Sequence, residues 1–428
     1  MLGFPSVCGN IARMPRRWLV LALIFAGIVI NYIDRGSLSI AAPFIMGDFR
    51  IAPATMGILL SAFFWTYAVC QIPAGVLVDR VGIRRAYAGG FLIWSLAAAG
   101  MALSRGTTDA VGLRLLLGLA ESVAPLASVA FIRANFAGEE QGLPTSIYIA
   151  GQNLGPAIGA LVGAALVSHM GWRLMFAITG LGGLVWLPCW LGAVPSDAAR
   201  KVRAMAASQV ASGDGFWRSW AGNRAAWALS LAIALASYFW YFVLTWIPTY
   251  LVAARGFSTL GMGQVLSLAL FTMAAANVAG GAAADRLARR LGVFRARLAF
   301  AAAGWAGTGV ILLLLVTTRA WALPILIVAM CATGIGNSSF WAIAQHLPPR
   351  HLVGRTVGYL NTISVTAGGA APIVTGYLLG PQKHFLTAIL VAGICPVLAA
   401  SCLLLAGAEG LTRMKAELAA GIGLEEEP

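Results

Sequence analysis

Twelve apolar runs, separated by short charged connectors, leave this chain few ways to fold. A run of about 20 apolar residues is what an α-helix needs to cross the hydrocarbon of a bilayer. Inside that hydrocarbon every backbone N–H and C=O must be satisfied within the helix itself. The runs fall at about 17–45, 53–78, 84–104, 109–135, 142–169, 172–193, 224–254, 260–285, 296–318, 321–346, 353–380 and 384–408. Of the 428 residues 60% are apolar and 10% charged, with a mean hydropathy of +0.83. A soluble domain is excluded, and the expected fold is an all-α membrane protein of twelve transmembrane helices with the lipid bilayer as its partner.

Lys and Arg placement sets the orientation. Of the 29, 21 fall in connectors and termini on one side, and six on the other: Arg50, Arg105, Arg173, Arg255, Arg319 and Lys383. By the positive-inside rule both termini are cytoplasmic. The formal charge of +14 is then a consequence of topology. No basic domain with interleaved aromatics is present, so no nucleic-acid partner is expected. The six cysteines are scattered and the four histidines lie near span ends, without ligand spacing. No metal, cofactor or catalytic triad is expected, and the chain reads as no enzyme. The first run continues into a charged segment, which argues against a cleaved signal peptide.

The two remaining arginines lie inside spans. Arg35 follows Asp34 in Asn31-Tyr32-Ile33-Asp34-Arg35, and Arg114 precedes Glu121 in the fourth span. A charge in the bilayer costs several kcal/mol, about 2.5–3.5 on insertion scales, so such residues are functional by default. Asp34 lies 12 residues before Met46 in span one, and Glu121 12 residues after Asp109 in the oppositely directed span four. At about 1.5 Å per residue the two carboxylates reach similar depth, with Arg114 about 10 Å nearer the outside. Gly151, Gly155, Gly159 and Gly163 recur every four residues along span five, a smooth face for close helix approach.

The chain repeats itself weakly. Gly75-Val76-Leu77-Val78-Asp79-Arg80 at the end of span two returns as Gly281-Ala282-Ala283-Ala284-Asp285-Arg286 at the end of span eight, an offset of 206 residues. Six spans restore the starting side, so the repeat is parallel. The expected organisation is a six-helix bundle over 1–194, a cytoplasmic linker over 195–223, a second bundle over 224–408 and a cytoplasmic tail over 409–428, ending in the acidic Glu425–Glu427. Two such bundles suit a rocking transporter with a site at their interface.

The block from Gly75 to Arg85, GVLVDRVGIRR, resembles the cytoplasmic signature of the major facilitator superfamily. NYIDRGSLSIAAP, FFWTYAVCQIPAG, RLLLGLAES and GQNLGPAIGALVG in spans one, two, four and five resemble its anion:cation symporter family. That family includes bacterial galactonate, glucarate and hexuronate carriers. The resemblance implies a monomeric importer in the bacterial inner membrane, moving a small organic anion, foremost a sugar acid, by proton symport and alternating access. It implies substrate contacts at Tyr32, Arg35, Tyr67 and Gln152, proton handling at Asp34 and Glu121, and tuning of Glu121 by Arg114. It further implies an inner gate at Gly75, Asp79, Arg80 and Arg84, with Arg133 a candidate partner for Asp79, and holding of the substrate's remaining groups by Ser338, Trp341 and Asn361.

The residues themselves agree with that chemistry. A guanidinium binds a carboxylate with two parallel bonds and does not deprotonate. At the repeat offset Asp34 and Arg35 correspond to Trp240 and Tyr241, so the second half offers aromatic and uncharged polar surface. Its Ser and Asn residues either contact a polyol or only join helices; both readings stay open. A drug/proton antiporter of the same fold would find Arg35 and Arg114 poor hosts for cations. An organic phosphate exchanger would leave Asp34 and Glu121 without a task. A membrane sensor would need a signalling domain that linker and tail do not supply.

Overall fold

The computed structural model describes residues 16–136, 140–194, 220–349, 352–380 and 384–420. Most of the expected linker, 195–219, and the acidic Glu425–Glu427 lie outside the described residues. Among the described residues, eleven helical runs are long and apolar enough to span a membrane. Spans one to four are Arg16–Asp48, Pro53–Val81, Ile83–Leu103 and Thr107–Asn135; spans seven to twelve are Arg224–Ala253, Thr259–Leu291, Val293–Leu315, Arg319–His346, Val353–Leu379 and Phe385–Ala406.

The remaining run, Gly142–Ala193, has 52 residues. At about 1.5 Å per residue that is more than twice the thickness of a bilayer core. It breaks at Gly171, whose φ of 79° only glycine adopts freely. The two pieces are spans five and six, and the chain crosses twelve times, as expected from the sequence.

The repeat is visible in the backbone. Spans two and eight both end at a glycine with positive φ, Gly82 at 86° and Gly292 at 82°. Spans three and nine both finish in 3₁₀ turns, Met101–Leu103 and Gly309–Leu315. The turn glycines are 210 residues apart rather than 206, because span eight runs about one helical turn further past its acid than span two does. A whole turn keeps Asp285 on the face that Asp79 occupies.

Within the first half the glycine stripe packs on span one. A Cβ on Gly155 would lie 2.5 Å from Cβ of Tyr32, and one on Gly159 would lie 3.1 Å from Cα of Ile33. The stripe thus fixes the height of the charged segment that follows Tyr32. Spans three and six are joined by stacked aromatics: Phe91 on Trp186 at 4.2 Å and Trp186 on Trp190 at 4.9 Å between ring centres. With lipid as apolar as any side chain, such close packing rather than the hydrophobic effect holds membrane helices together.

The halves meet through spans two and eleven, five and eight, and one and seven. Three close approaches lie at the end remote from the termini: Gly57 against Pro372 and Ile373, Gly376 against Pro53 and Ala54, and Gly263 against Ala160 and Ala164. The Ser61 hydroxyl donates to the Gly369 carbonyl across the same seam. That end is closed, while a cavity of about 1720 Å³ reaches from Arg35 to Asp79, Arg133 and Asp285 at the opposite helix ends.

Past the last span the structure adds what the sequence did not suggest. The chain continues as a helix, Ala408–Ala420, with Leu411, Met414 and Leu418 buried against spans seven, nine and twelve. The spacing of those three, with Arg413 and Lys415 between, makes an amphipathic stripe. It belongs to the second bundle rather than to a free tail.

Candidate functional site

Span one carries Asn31, Tyr32 and Arg35 on neighbouring turns, with Asp34 one residue aside. Arg35 donates from Nε at 3.3 Å and from Nη2 at 2.9 Å to a single oxygen, Oε2 of Glu121. Nη2 also reaches the Asn31 side-chain oxygen at 3.2 Å, four residues back along the helix. Nη1 meets strict hydrogen-bond geometry with no partner among the described residues, with the Tyr32 side chain close to the guanidinium. Glu121 is wholly buried, while 13% of the Arg35 side chain is exposed. Arg35 lines the cavity and Glu121 does not.

Aromatic rings surround the guanidinium. Its central carbon lies 4.7 Å from the Tyr32 ring, 4.5 Å from Phe63 and 4.8 Å from Tyr67. The residues Phe63 and Tyr67 are one turn apart on span two and stack at 5.2 Å. Such faces attract a cation more strongly where water is excluded. Arg114 sits against the same Phe63 ring at 5.4 Å, so the two arginines share one aromatic neighbour.

Asp34 lies deeper, 1% exposed, within the first bundle. Glu121, Arg114 and Thr179 of span six are its neighbours, and neither of its oxygens meets hydrogen-bond geometry with any of them. Arg114 is 2% exposed, and it forms no ion pair within 4.0 Å among the described residues. The sequence placed both acids at one depth, and the structure brings them close. It assigns Glu121, not the adjacent Asp34, to Arg35. Successive residues turn about 100° around a helix, so Arg35 and Asp34 face different spans.

The seven residues expected to touch substrate all line this cavity: Tyr32, Arg35, Tyr67 and Gln152 from the first half, and Ser338, Trp341 and Asn361 from the second. Gln152 donates to the Tyr148 hydroxyl at 3.0 Å. Ser338 donates to the Ile335 carbonyl at 2.9 Å. Thr362 is exposed and donates to the Gly358 carbonyl at 2.9 Å, and it is not itself part of the cavity lining. Asn337 lines it but accepts from the Trp305 indole at 3.0 Å, a packing bond. Trp240 lines it too, and Tyr241 reaches across to Phe64 at 4.9 Å.

Of the expected gate residues, Gly75 and Asp79 line the cavity near its opening. Arg84 donates to the Leu191 carbonyl at 3.3 and 2.8 Å, tying the start of span three to the end of span six. In the second copy Asp285 pairs with Arg297. Asn31, Phe63, Tyr148 and Thr179 were not singled out from the sequence. The four-residue spacing of Asn31 and Arg35 could have found the first; nothing local marks Thr179.

A chain of two six-span halves around an interfacial cavity is the architecture of a membrane transporter, and residues 24–372 match the Major Facilitator Superfamily. The chain belongs to that superfamily and is a transporter, not an enzyme. Among its relatives is the D-galactonate transporter of Escherichia coli O6:H1, 27% identical, with 92% of this chain and 96% of the relative covered. Another is the probable galactarate/D-glucarate transporter GarP of Escherichia coli K12, 28% identical, covering 91% and 94%. Its fold resembles a solved bacterial homologue of the human lysosomal transporter Spinster in an inward-facing, unoccupied conformation. The TM-score is 0.75 and the identity 17%, with 97% of this chain and 99% of that one covered.

Proposed function

We propose that this protein imports a small organic carboxylate, a sugar acid foremost, together with protons across a bacterial inner membrane. One observation carries the reading. Arg35 lies at the deep end of the cavity with Nε and Nη2 held by Glu121 and Asn31, and with Nη1 left to serve an incoming anion. The relatives' names, galactonate and galactarate/D-glucarate transporters, support a sugar acid. Amides and hydroxyls at Gln71, Gln152, Asn277, Ser338 and Asn361 suit its hydroxyl groups.

Glu121 and a substrate carboxylate compete for one guanidinium. A charge-assisted bond is roughly twice as strong as a neutral one, so a proton on Glu121 loosens its hold and frees Arg35 for substrate. Loss of that proton restores the pair and displaces the anion. Asp34, buried without a hydrogen-bond partner, is a second proton carrier of the kind found in membrane relays. Arg114 stabilises both acids when they are ionised. Loading occurs with the remote end open and release with the cavity open toward the termini, which the positive-inside rule places in the cytoplasm. Gly75, Asp79, Arg80 and Arg84 govern closure of the inner end.

The test is uptake into proteoliposomes of labelled galactonate, glucarate, galacturonate, tartrate and an aromatic acid, with and without an inward proton gradient. Accumulation of an acid only with the gradient is expected. Gradient-driven movement of a cationic dye, with no acid taken up, would refute the proposal.

A further inference from the structure

The charge of the substrate can be read from the cavity wall. Arg35 and Arg133 are the only cations among the described lining residues, and none lines the second half. Apart from Asp285 near the opening, the polar groups that half contributes to the wall are neutral, including Ser237, Asn277, Ser338 and Asn361. Two of these walls are tied together already, since the Ser237 and Ser364 hydroxyls share a hydrogen bond at 2.8 Å.

Arg133 is too far away to serve the same ligand. It lies 12 residues beyond Glu121 on span four, about 18 Å along the helix, whereas Glu121 bonds Arg35 directly. Five C–C bonds of about 1.5 Å give a six-carbon diacid a reach below about 8 Å between its carboxyl carbons. The acids Asp79 and Asp285 also line the wall near the opening. A second carboxylate would be desolvated without a cation to receive it, a costly burial.

We infer that the site selects a monoanion: an acid with one carboxylate on Arg35 and an uncharged, hydroxyl-bearing far end against Ser338 and Asn361. This rests on the reading of Arg35 as the anion site. It separates aldonates and hexuronates from aldarates, which that reading leaves together.

Galactonate and galactarate make a matched pair, with the same carbon count and differing at one terminus, a primary alcohol against a carboxylate. Competition by each against labelled galactonate, in detergent with the purified full chain and again in proteoliposomes, should show galactonate at least tenfold tighter. Galactarate binding as tightly or more tightly would overturn the inference and leave the anion site standing. Binding of neither, with galacturonate, tartrate and the aromatic acid also failing to bind, would remove the anion reading and the inference together. Asn361→Arg places a cation on the neutral wall, and should raise the galactarate-to-galactonate affinity ratio at least tenfold; an unmoved or lowered ratio would count against that wall as the seat of the far end.

Discussion

The two halves share a backbone plan and differ in where they bury charge. In the first, Asp34, Arg114 and Glu121 are buried to within 2% of complete, around an Arg35 that opens to the cavity. In the second, the buried Ser, Thr and charged side chains among the described residues are all hydroxyls, such as Thr308, Thr333, Ser339, Thr356 and Thr375. Several satisfy themselves locally, as Thr333 does on the Ala329 carbonyl at 2.8 Å. Hydroxyls bonded to their own helix are inexpensive in a bilayer. Buried charges are not, and we propose that a half carrying three of them around a partly buried Arg35 has them for a task in which their balance changes. Under the proposed function, binding of the anionic end and of protons would fall to the first half, and shape and hydroxyl recognition to the second.

The largest effect should come from Arg35→Ala. Removing one partner of a buried ion pair leaves the other charge uncompensated, at a cost of about 3–5 kcal/mol, and the anion loses its partner as well. Binding in a scintillation-proximity assay should fall at least a hundredfold, since each 1.4 kcal/mol is about tenfold. Arg35→Lys should recover part of it, because the charge stays and the planar fork does not. Unchanged affinity in Arg35→Ala would break the assignment of halves outright.

Glu121→Gln should separate the two tasks within the charged half. The amide keeps the shape but cannot be ionised, so gradient-driven accumulation should collapse to simple equilibration. Exchange of internal for external substrate, which needs no net proton movement, should persist. If uphill uptake survives, the coupling proton rides on Asp34, and Asp34→Asn then becomes the decisive variant.

The fold was almost wholly legible because its main constraint is one-dimensional. A run of about 20 apolar residues has only one stable form in lipid, and positive-φ glycines such as Gly82 and Gly171 divide the runs. Depth was legible as well, since rise per residue converts a residue count into a height. Partnership was not. Whether Arg35 meets Asp34 or Glu121 depends on the rotation of span one against span four, which no spacing within either span encodes. The same holds for Phe63 against both arginines and for Thr179 beside Asp34. The helix Ala408–Ala420 escaped notice because its mixed charged and apolar sequence resembles a solvated tail until its buried stripe is seen against the second bundle.

The seam between the halves gives an intermediate effect. Gly57 lies against the Pro372 backbone, with no room for a Cβ. Gly57→Leu overpacks the closed end, and overpacking of this kind costs about 1–3 kcal/mol. If the halves rock as rigid bodies, the conformer closed at that end is disfavoured and its opposite gains. Spin-label distances between spans two and eleven at their remote ends should lengthen. Unchanged distances would mean that the seam yields locally and the bundles do not move as units.

On the neutral side the effects should be graded. Ser338→Ala and Asn361→Ala each remove one hydrogen-bonding group from the wall, worth about 0.5–1.5 kcal/mol, or roughly two- to tenfold in affinity. Neither should alter the dependence of accumulation on the proton gradient. A variant of this wall that uncoupled transport from protons would show that the division of labour is false.

The smallest effect sharpens why charge matters in the first half. Arg17 and Glu140 also belong to it, and they pair at 3.0 Å with side chains 40% and 54% exposed. Water competes for both ions, and such pairs contribute about 0–1 kcal/mol. Glu140→Gln should therefore leave accumulation intact and move the thermal midpoint of the purified protein by no more than about a degree or two, with the difference fading as salt rises. The pair differs from Arg35–Glu121 in solvent and not in distance, 3.0 against 2.9 Å. If neutralising Glu140 were as damaging as neutralising Glu121, burial would not be what gives the central cluster its function, and the contrast between the halves would reduce to a difference in charge count alone.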